Sequence, residues 1–131
     1  MGKYAKNAGA VFSLKYHLVW CPKYRRQVLV APVDARLKEV LTAVSESHGW
    51  TLHTLEVMPD HVHVFVEADP TACAAEIVNR LKGASSRILR DEFPFLKSRL
   101  PTLWSRSYFA GTVGSVSEAV IRRYIESQKG K

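Results

Sequence analysis

Cysteine is scarce in this chain, and long apolar runs are missing. Only Cys21 and Cys73 occur, too few for a disulfide framework or a zinc site, so we expect a reduced setting. No stretch approaches the roughly 18 consecutive apolar residues of a transmembrane helix. The apolar run near the start is broken by Ser13 and Lys15, unlike that of a signal peptide. We therefore expect a cytoplasmic protein with no membrane partner.

Acidic residues are few relative to basic ones. The 131 residues carry nineteen Lys and Arg against twelve Asp and Glu, a net charge of +7. The excess is uneven, because residues 1–79 hold eight of each sign, whereas residues 80–131 hold eleven basic and four acidic residues. A segregated positive field is typical of proteins that bind nucleic acid. A solvated basic surface that aids solubility is the alternative.

The hydrophobic pattern predicts a single α+β domain spanning residues 1–131. Four strands are predicted, over residues 11–21, 50–58, 61–67 and 103–110. Three helices are predicted, from Pro32 to about His48, from Asp69 and Pro70 to about residue 91, and over about 115–128 with a capping box from Ser115 to Glu118. Residues 92–102 are predicted to form a loop, and Gly111 and Gly114 to bracket a flexible link. The order predicts a ferredoxin-like split βαβ fold, an antiparallel four-stranded sheet with two helices on one face, plus a C-terminal helix.

A histidine pair lies in the third predicted strand. His61 and His63 are two residues apart, so their side chains share one side of the strand, with Cα atoms about 6–7 Å apart. Both imidazoles can converge on one ion, and neutral imidazole commonly binds divalent metals. Two half-exposed histidines without a ligand are the alternative, since such a spacing often occurs by chance.

A tyrosine and a glutamine fall within the apolar stripe of the last predicted helix. Tyr124 and Gln128 are four residues apart and are therefore neighbours on one face. A tyrosine there is often a core residue. A buried amide without partners costs on the order of 1–3 kcal/mol, so Gln128 should face something polar such as a metal site, unless the chain end frays.

Together these groups indicate phosphoryl transfer. A tyrosine hydroxyl can act as a nucleophile, and a nearby cation favours its phenolate. An ion held by two histidines and one amide keeps positions for phosphate oxygens and would stabilise a leaving 3′-oxygen. Because these ligands carry no negative charge, we expect Mg²⁺ or Mn²⁺, bound weakly without DNA, rather than structural zinc.

Three segments carry a family resemblance. They are KYHLVWCPKYRRQVL at residues 15–29, the HVH of residues 61–63 within MPDHVHVFVE, and RRYIESQ at residues 122–128. Over nearly its whole length the chain resembles the single-tyrosine HUH transposases, TnpA-type, of the IS-two-hundred class of bacterial insertion sequences.

The resemblance implies an enzyme that cuts and rejoins single-stranded DNA at the ends of a mobile element. It implies a 5′-phosphotyrosine link, a free 3′-hydroxyl and recognition of DNA hairpins near those ends. It also implies a homodimer in which the histidines of one subunit meet the tyrosine helix of the other. Tyr124 would be the nucleophile, and His61, His63 and Gln128 would be the metal ligands.

Six cations are predicted DNA contacts from their charge and placement: Lys23, Arg25, Arg26, Arg80, Arg87 and Arg90. Plain surface charge is the alternative for each of them. Two aromatic residues, Tyr24 and Trp104, could stack on bases, although aromatics in a sheet are more often core.

Three other functions stay open. The first is a non-catalytic RNA- or DNA-binding module on the same fold, although no aromatic RNP1 pattern is visible. The second is a metal-dependent phosphodiesterase that uses water, which would normally need carboxylate ligands or a second histidine pair. The third is a domesticated relative that acts on repeated chromosomal hairpins.

Overall fold

The computed structural model describes residues 5–7, 10–112 and 116–131. Strands β1 (Ala5–Asn7) and β2 (Ala10–Phe12) form a small antiparallel pair. Four further strands form the main sheet: β3 (Leu14–Trp20), β4 (Thr51–Met58), β5 (His61–Ala68) and β6 (Phe109–Thr112). Its order is β4-β5-β3-β6, and all of its pairings are antiparallel. This is the order of a ferredoxin-like sheet, as the sequence predicts.

Two long helices cover one face of this sheet, α1 (Val33–Ser47) and α2 (Ala74–Glu92). On β5, Val62, Val64 and Val66 are fully buried in the core that these helices close. Because side chains alternate along a strand, His61, His63 and Phe65 lie on the opposite face. One strand thus supplies both the core and the candidate site.

The structure corrects the predicted start of the second helix. Helix α2 begins at Ala74 rather than at Asp69. The Asp69 carboxylate accepts hydrogen bonds from the backbone N–H and the hydroxyl of Thr71. These bonds make a separate turn before the helix, because a short acidic side chain can satisfy the backbone two residues ahead.

Two segments between α2 and the last strand also differ from the prediction. The predicted loop 92–102 contains a short helix, α3 (Pro94–Arg99), that begins with proline and buries Leu96. The predicted strand 103–110 is wrong over most of its length, since only an isolated bridge joins Trp104 to Pro22 and β6 begins at Phe109. The Trp104 indole donates a hydrogen bond to the Lys82 carbonyl of α2 instead. This contact positions the residues around Trp104, which therefore do not pair as a regular strand of the sheet.

The C-terminal helix, α4 (Glu118–Ser127), lies on the face opposite α1 and α2, with Tyr124 near Phe109 of β6. Its cap is Ser117, whose hydroxyl accepts from the Val120 N–H at 3.2 Å, whereas Ser115 and Gly114 lie outside the described residues. Gly111 belongs to β6 rather than to a link. A Cβ atom at Gly111 would collide with the Val116 side chain, so the glycine permits this close approach.

The first predicted strand, 11–21, is divided at Ser13 between β2 and β3. The Ser13 hydroxyl donates to the buried Glu67 carboxylate at 2.7 Å. None of the described helices is long and apolar enough to cross a membrane.

Candidate active site

Each histidine of the pair rests against a carboxylate. The Nδ1 atom of His61 lies 2.9 Å from Asp60 Oδ1, and that of His63 lies 3.2 Å from Glu56 Oε1 on the neighbouring strand. Metal-binding histidines commonly give one ring nitrogen to a carboxylate, which fixes the ring and turns the other nitrogen to the metal. The arrangement therefore suits a divalent cation at the Nε2 atoms.

A third histidine faces the pair from β3. His17 Nδ1 lies 3.1 Å from His63 Nε2, and the His17 ring stacks on Phe65 with centroids 4.4 Å apart. Burial, followed by the charge of His63, lowers the pKa of His17. Sequence reasoning missed His17 because its closeness to His63 depends on the register of β3 against β5. An ion at His63 Nε2 requires this contact between the two rings to open.

These histidines line a cleft of about 780 Å³ between the sheet and α4, here termed the histidine cleft. Arg25 closes one end, with its guanidinium 3.5 Å from Asp60 and 3.7 Å from Glu126. It also donates to the Ile125 carbonyl at 3.2 Å. Arg25, a predicted DNA contact, thus ties the turn after β3 to α4. Within the described residues, no group of three or more His, Cys, Asp and Glu is arranged to hold a metal ion.

Tyr124 and Gln128 do not line the histidine cleft. The Tyr124 hydroxyl lies 2.7 Å from Ser107 Oγ, and Ser107 Oγ donates to Gln128 Oε1 at 2.8 Å. Ser105 Oγ donates to the same amide oxygen at 3.2 Å. Gln128 is only 5% exposed, so it does face polar groups, as predicted, but in this chain they are serines rather than the histidine pair.

The surroundings of Tyr124 keep its phenol protonated. Burial, opposed in part by the hydrogen bond between Tyr124 and Ser107, raises the pKa of Tyr124 to about 12. Lys82 on α2 holds the supporting segment 105–107 in place, because its ammonium donates to the Ser105 and Ser107 carbonyls at 2.7 and 3.1 Å. Burial lowers the pKa of Lys82 to about 8. The nucleophile predicted from the sequence is therefore docked and neutral here.

Comparison with known proteins identifies the family. The family model described as "Transposase IS200 like" matches residues 10–128. The chain is 44% identical to the ISDra2 transposase TnpA of Deinococcus radiodurans, over 96% of this chain and 91% of that protein. It is 32% identical to the transposase of insertion sequence IS200 from Salmonella typhimurium, over 98% and 85% of the two chains. This chain belongs to the IS200-like transposase family.

Solved structures agree with this IS200-like transposase in fold. A crystal structure of a transposase from Deinococcus radiodurans R1 superposes with a TM-score of 0.88 at 42% identity, covering 97% of this chain and 99% of that one. A REP-associated tyrosine transposase bound to a REP hairpin has a TM-score of 0.59 at 10% identity, over 93% and 68% of the chains. The second likeness shows the shared fold.

The predicted DNA contacts of the IS200-like transposase fall into two groups. Lys23 and Arg26 flank the ring of Tyr24, which is 40% exposed, at 5.1 and 5.9 Å from its centroid. On α2, Arg80 and Arg87 are exposed, whereas Arg90 is half-buried.

Trp104, the other aromatic considered for base stacking, is a core residue with 6% exposure. Its indole N–H points to the Lys82 carbonyl and the Ser85 hydroxyl. A base therefore has no open face of this ring to stack on.

Proposed function

We propose that this IS200-like transposase cleaves and rejoins single-stranded DNA at the ends of an insertion sequence, with Tyr124 as the nucleophile. The observation that carries the proposal is the pair of carboxylate-supported imidazoles of His61 and His63, which face a cleft covered by the tyrosine helix. The relatives that are 44% and 32% identical, both transposases of insertion sequences, favour a mobile element over a domesticated role.

A divalent ion, Mg²⁺ or Mn²⁺, fits the donor set. His61 and His63 would hold it through Nε2, because their Nδ1 atoms face Asp60 and Glu56, and Gln128 would supply a third ligand. When bound, the ion polarises the phosphoryl group and stabilises the leaving oxygen.

The transfer step conserves one phosphodiester bond. The Tyr124 oxygen loses its proton and attacks phosphorus, and the bond from phosphorus to the 3′-oxygen breaks. The electron pair stays on that oxygen, which takes up a proton and leaves as a free 3′-hydroxyl. Rejoining is the reverse, with a 3′-hydroxyl attacking the 5′-phosphotyrosine and Tyr124 departing, so no nucleotide cofactor is consumed.

A site that contains the histidine pair together with Tyr124 and Gln128 requires a different position of the tyrosine helix. Within the chain described here, the Tyr124 hydroxyl and the Gln128 amide oxygen are both hydrogen-bonded to Ser107. Either the chain's own α4 shifts so that both side chains face the histidine pair, or it leaves and the α4 of a second copy takes its place against the histidine cleft. We propose the second arrangement, a homodimer with shared sites, acting on DNA hairpins near the element ends; the hairpin bound by a protein of the same fold supports the choice of partner.

Covalent adduct formation tests the chemistry. The protein is incubated with 5′-labelled and 3′-labelled single strands containing an element end, with Mg²⁺, with Mn²⁺ or with EDTA. We expect an adduct that carries the 3′-labelled fragment, joined to the protein through its 5′-phosphate, and a released 5′-labelled fragment, with no adduct in EDTA, with Tyr124→Phe or with the His61→Ala/His63→Ala double variant. An adduct on Tyr124→Phe refutes the assigned nucleophile. Free 5′-phosphate without an adduct indicates water as the attacking group, and binding without any cleavage indicates a non-catalytic module.

Mixing inactive variants tests the shared site. Tyr124→Phe and His61→Ala/His63→Ala protomers are co-expressed with different tags and purified as the mixed dimer. If sites are shared, one site of the mixed dimer is complete and adduct formation returns on the protomer that retains Tyr124. If each site lies within one chain, both sites of the mixed dimer are defective and no adduct forms.

A further inference from the structure

Arg25 places a positive charge in the histidine cleft, on the same wall as the histidine pair. Among the described residues, two arginines line this cleft, Arg25 and Arg122. Arg122 belongs to α4, is exposed and pairs with Glu118 one turn earlier at 3.1 Å. Arg25 belongs instead to the turn after β3, and its side chain is 20% exposed. Arg25 is therefore the cation that stays beside the histidines when α4 moves.

A single carboxylate connects Arg25 to the histidine pair. Asp60 Oδ1 lies 2.9 Å from His61 Nδ1, and Asp60 Oδ2 lies 3.5 Å from Arg25 Nε. The guanidinium and the imidazole therefore occupy neighbouring positions, one at each oxygen of the same carboxylate. A phosphate bound at the histidine pair would thus have this guanidinium as a neighbour.

The turn that carries Arg25 has a backbone conformation that its surroundings must hold. Tyr24 and Arg25 have φ values of +61° and +52°, a region that non-glycine residues rarely adopt. The Arg25 N–H donates to the Pro22 carbonyl at 2.8 Å, and the Lys23 N–H donates to the Leu103 carbonyl at 2.8 Å. Strained backbone of this kind is common at functional sites. Because these bonds do not involve α4, the base of the Arg25 side chain is fixed independently of that helix.

The contacts of Arg25 with α4 are weak and can be exchanged for others. Arg25 Nη1 lies 3.7 Å from Glu126 Oε2, on a side chain that is 71% exposed, and donates to the Ile125 carbonyl at 3.2 Å. An ion pair with so exposed a partner contributes little. Arginine–phosphate contacts, in contrast, are charge-assisted and commonly made by two N–H groups at once. A phosphate in the cleft would therefore displace Glu126 from the guanidinium.

We propose that Arg25 is a catalytic residue that binds a non-bridging oxygen of the scissile phosphate. Negative charge accumulates on the phosphate oxygens as the Tyr124 oxygen attacks, and the side chains of His61, His63 and Gln128 bring no positive charge of their own. The guanidinium is always protonated, and a cation already in place stabilises the developing charge without reorganising. It keeps its protons and forms no covalent bond, so the transfer step written above is unchanged. The inference rests on the proposed function for the identity of the reaction.

A scan of neutral phosphates tests this contact without chemistry. Single strands containing an element end each carry one methylphosphonate, at successive positions, and are titrated with Mn²⁺ into Tyr124→Phe protein, which forms no adduct under the proposed mechanism. At the position that is cut, we expect the neutral group to weaken binding by roughly 10- to 150-fold. This penalty should largely disappear with Arg25→Ala, persist in part with Arg25→Lys, and remain with Lys38→Ala, which removes an exposed cation of α1 outside the cleft. The inference is overturned if no penalty depends on Arg25, or if the dependent position is not the one that is cut.

Rates of adduct formation separate a phosphate contact from a role in docking α4. On the unmodified strand, Arg25→Ala should slow single-turnover adduct formation by about 10²–10³-fold. Glu126→Gln removes the same ion pair from the α4 side and should not slow the reaction, because it removes a competitor for the guanidinium. Equal slowing by both variants, or an unchanged rate with Arg25→Ala, overturns the inference. An Arg25-dependent phosphate contact in a protein that forms no adduct at all would instead count against the proposed function alone.

Discussion

Removing one hydroxyl should loosen the tyrosine helix. Ser107 Oγ contacts both the Tyr124 hydroxyl at 2.7 Å and the Gln128 amide oxygen at 2.8 Å. Each such bond contributes a net 0.5–1.5 kcal/mol, so Ser107→Ala removes about 1–3 kcal/mol of docking energy. Ser105 keeps its own bond to Gln128 at 3.2 Å. The population of undocked α4 should therefore rise by roughly 5- to 150-fold.

Hydrogen exchange of the α4 amides measures this population directly. We expect faster exchange over Glu118–Ser127 in Ser107→Ala, with unchanged exchange in β5, because local opening sets the rate at α4. Ser47→Ala is the matched control, since its hydroxyl bonds only near the end of α1, to the Val44 carbonyl and His48. Under the proposed function, single-turnover adduct formation also accelerates if undocking limits it. Unchanged α4 exchange would refute the docking role of Ser107.

Three further perturbations address the core, the buried lysine and the histidine cleft. Leu81→Ala should cost about 2–5 kcal/mol of unfolding free energy because Leu81 is fully buried, whereas Val30→Ala, 47% exposed, should cost little; equal urea midpoints would contradict this. Burial lowers the pKa of Lys82 to about 8 from 10.5, so between these values the unfolded chain binds the proton that the folded chain has released, and stability gains with rising pH. The unfolding free energy of wild type minus that of Lys82→Met should accordingly rise from pH 8 to pH 10.5. If urea titrations show no change in this difference with pH, a lowered pKa is excluded. His17→Ala frees His63 Nε2 from its 3.1 Å contact and should tighten Mn²⁺ binding in calorimetry; weaker binding would mean that His17 itself assists the ion.

Much of the fold could be predicted from local patterns. The alternation of valine with histidine in β5 predicts which face of the strand is buried and which carries the histidines. The short link after Met58 predicts the hairpin between β4 and β5. The predictions failed where a distant contact overrides the local pattern. Trp104 lies in a stretch that alternates like a strand, but its indole N–H is satisfied by α2, which holds residues 103–108 away from regular pairing.

The candidate site also has a part that the local sequence predicts and a part that depends on distant contacts. Its residue types and spacings are local properties, so the sequence by itself determined the histidine pair, the tyrosine and glutamine on one helix face, and membership of the transposase family. Only the tertiary structure decided that His17 faces His63 and that Arg25 joins the turn to α4. It also decided that Ser107 forms hydrogen bonds with both Tyr124 and Gln128. The physical reason is that each of these contacts joins residues 17 or more positions apart. Strand register and helix docking, rather than any periodicity in the chain, bring such residues within hydrogen-bonding distance.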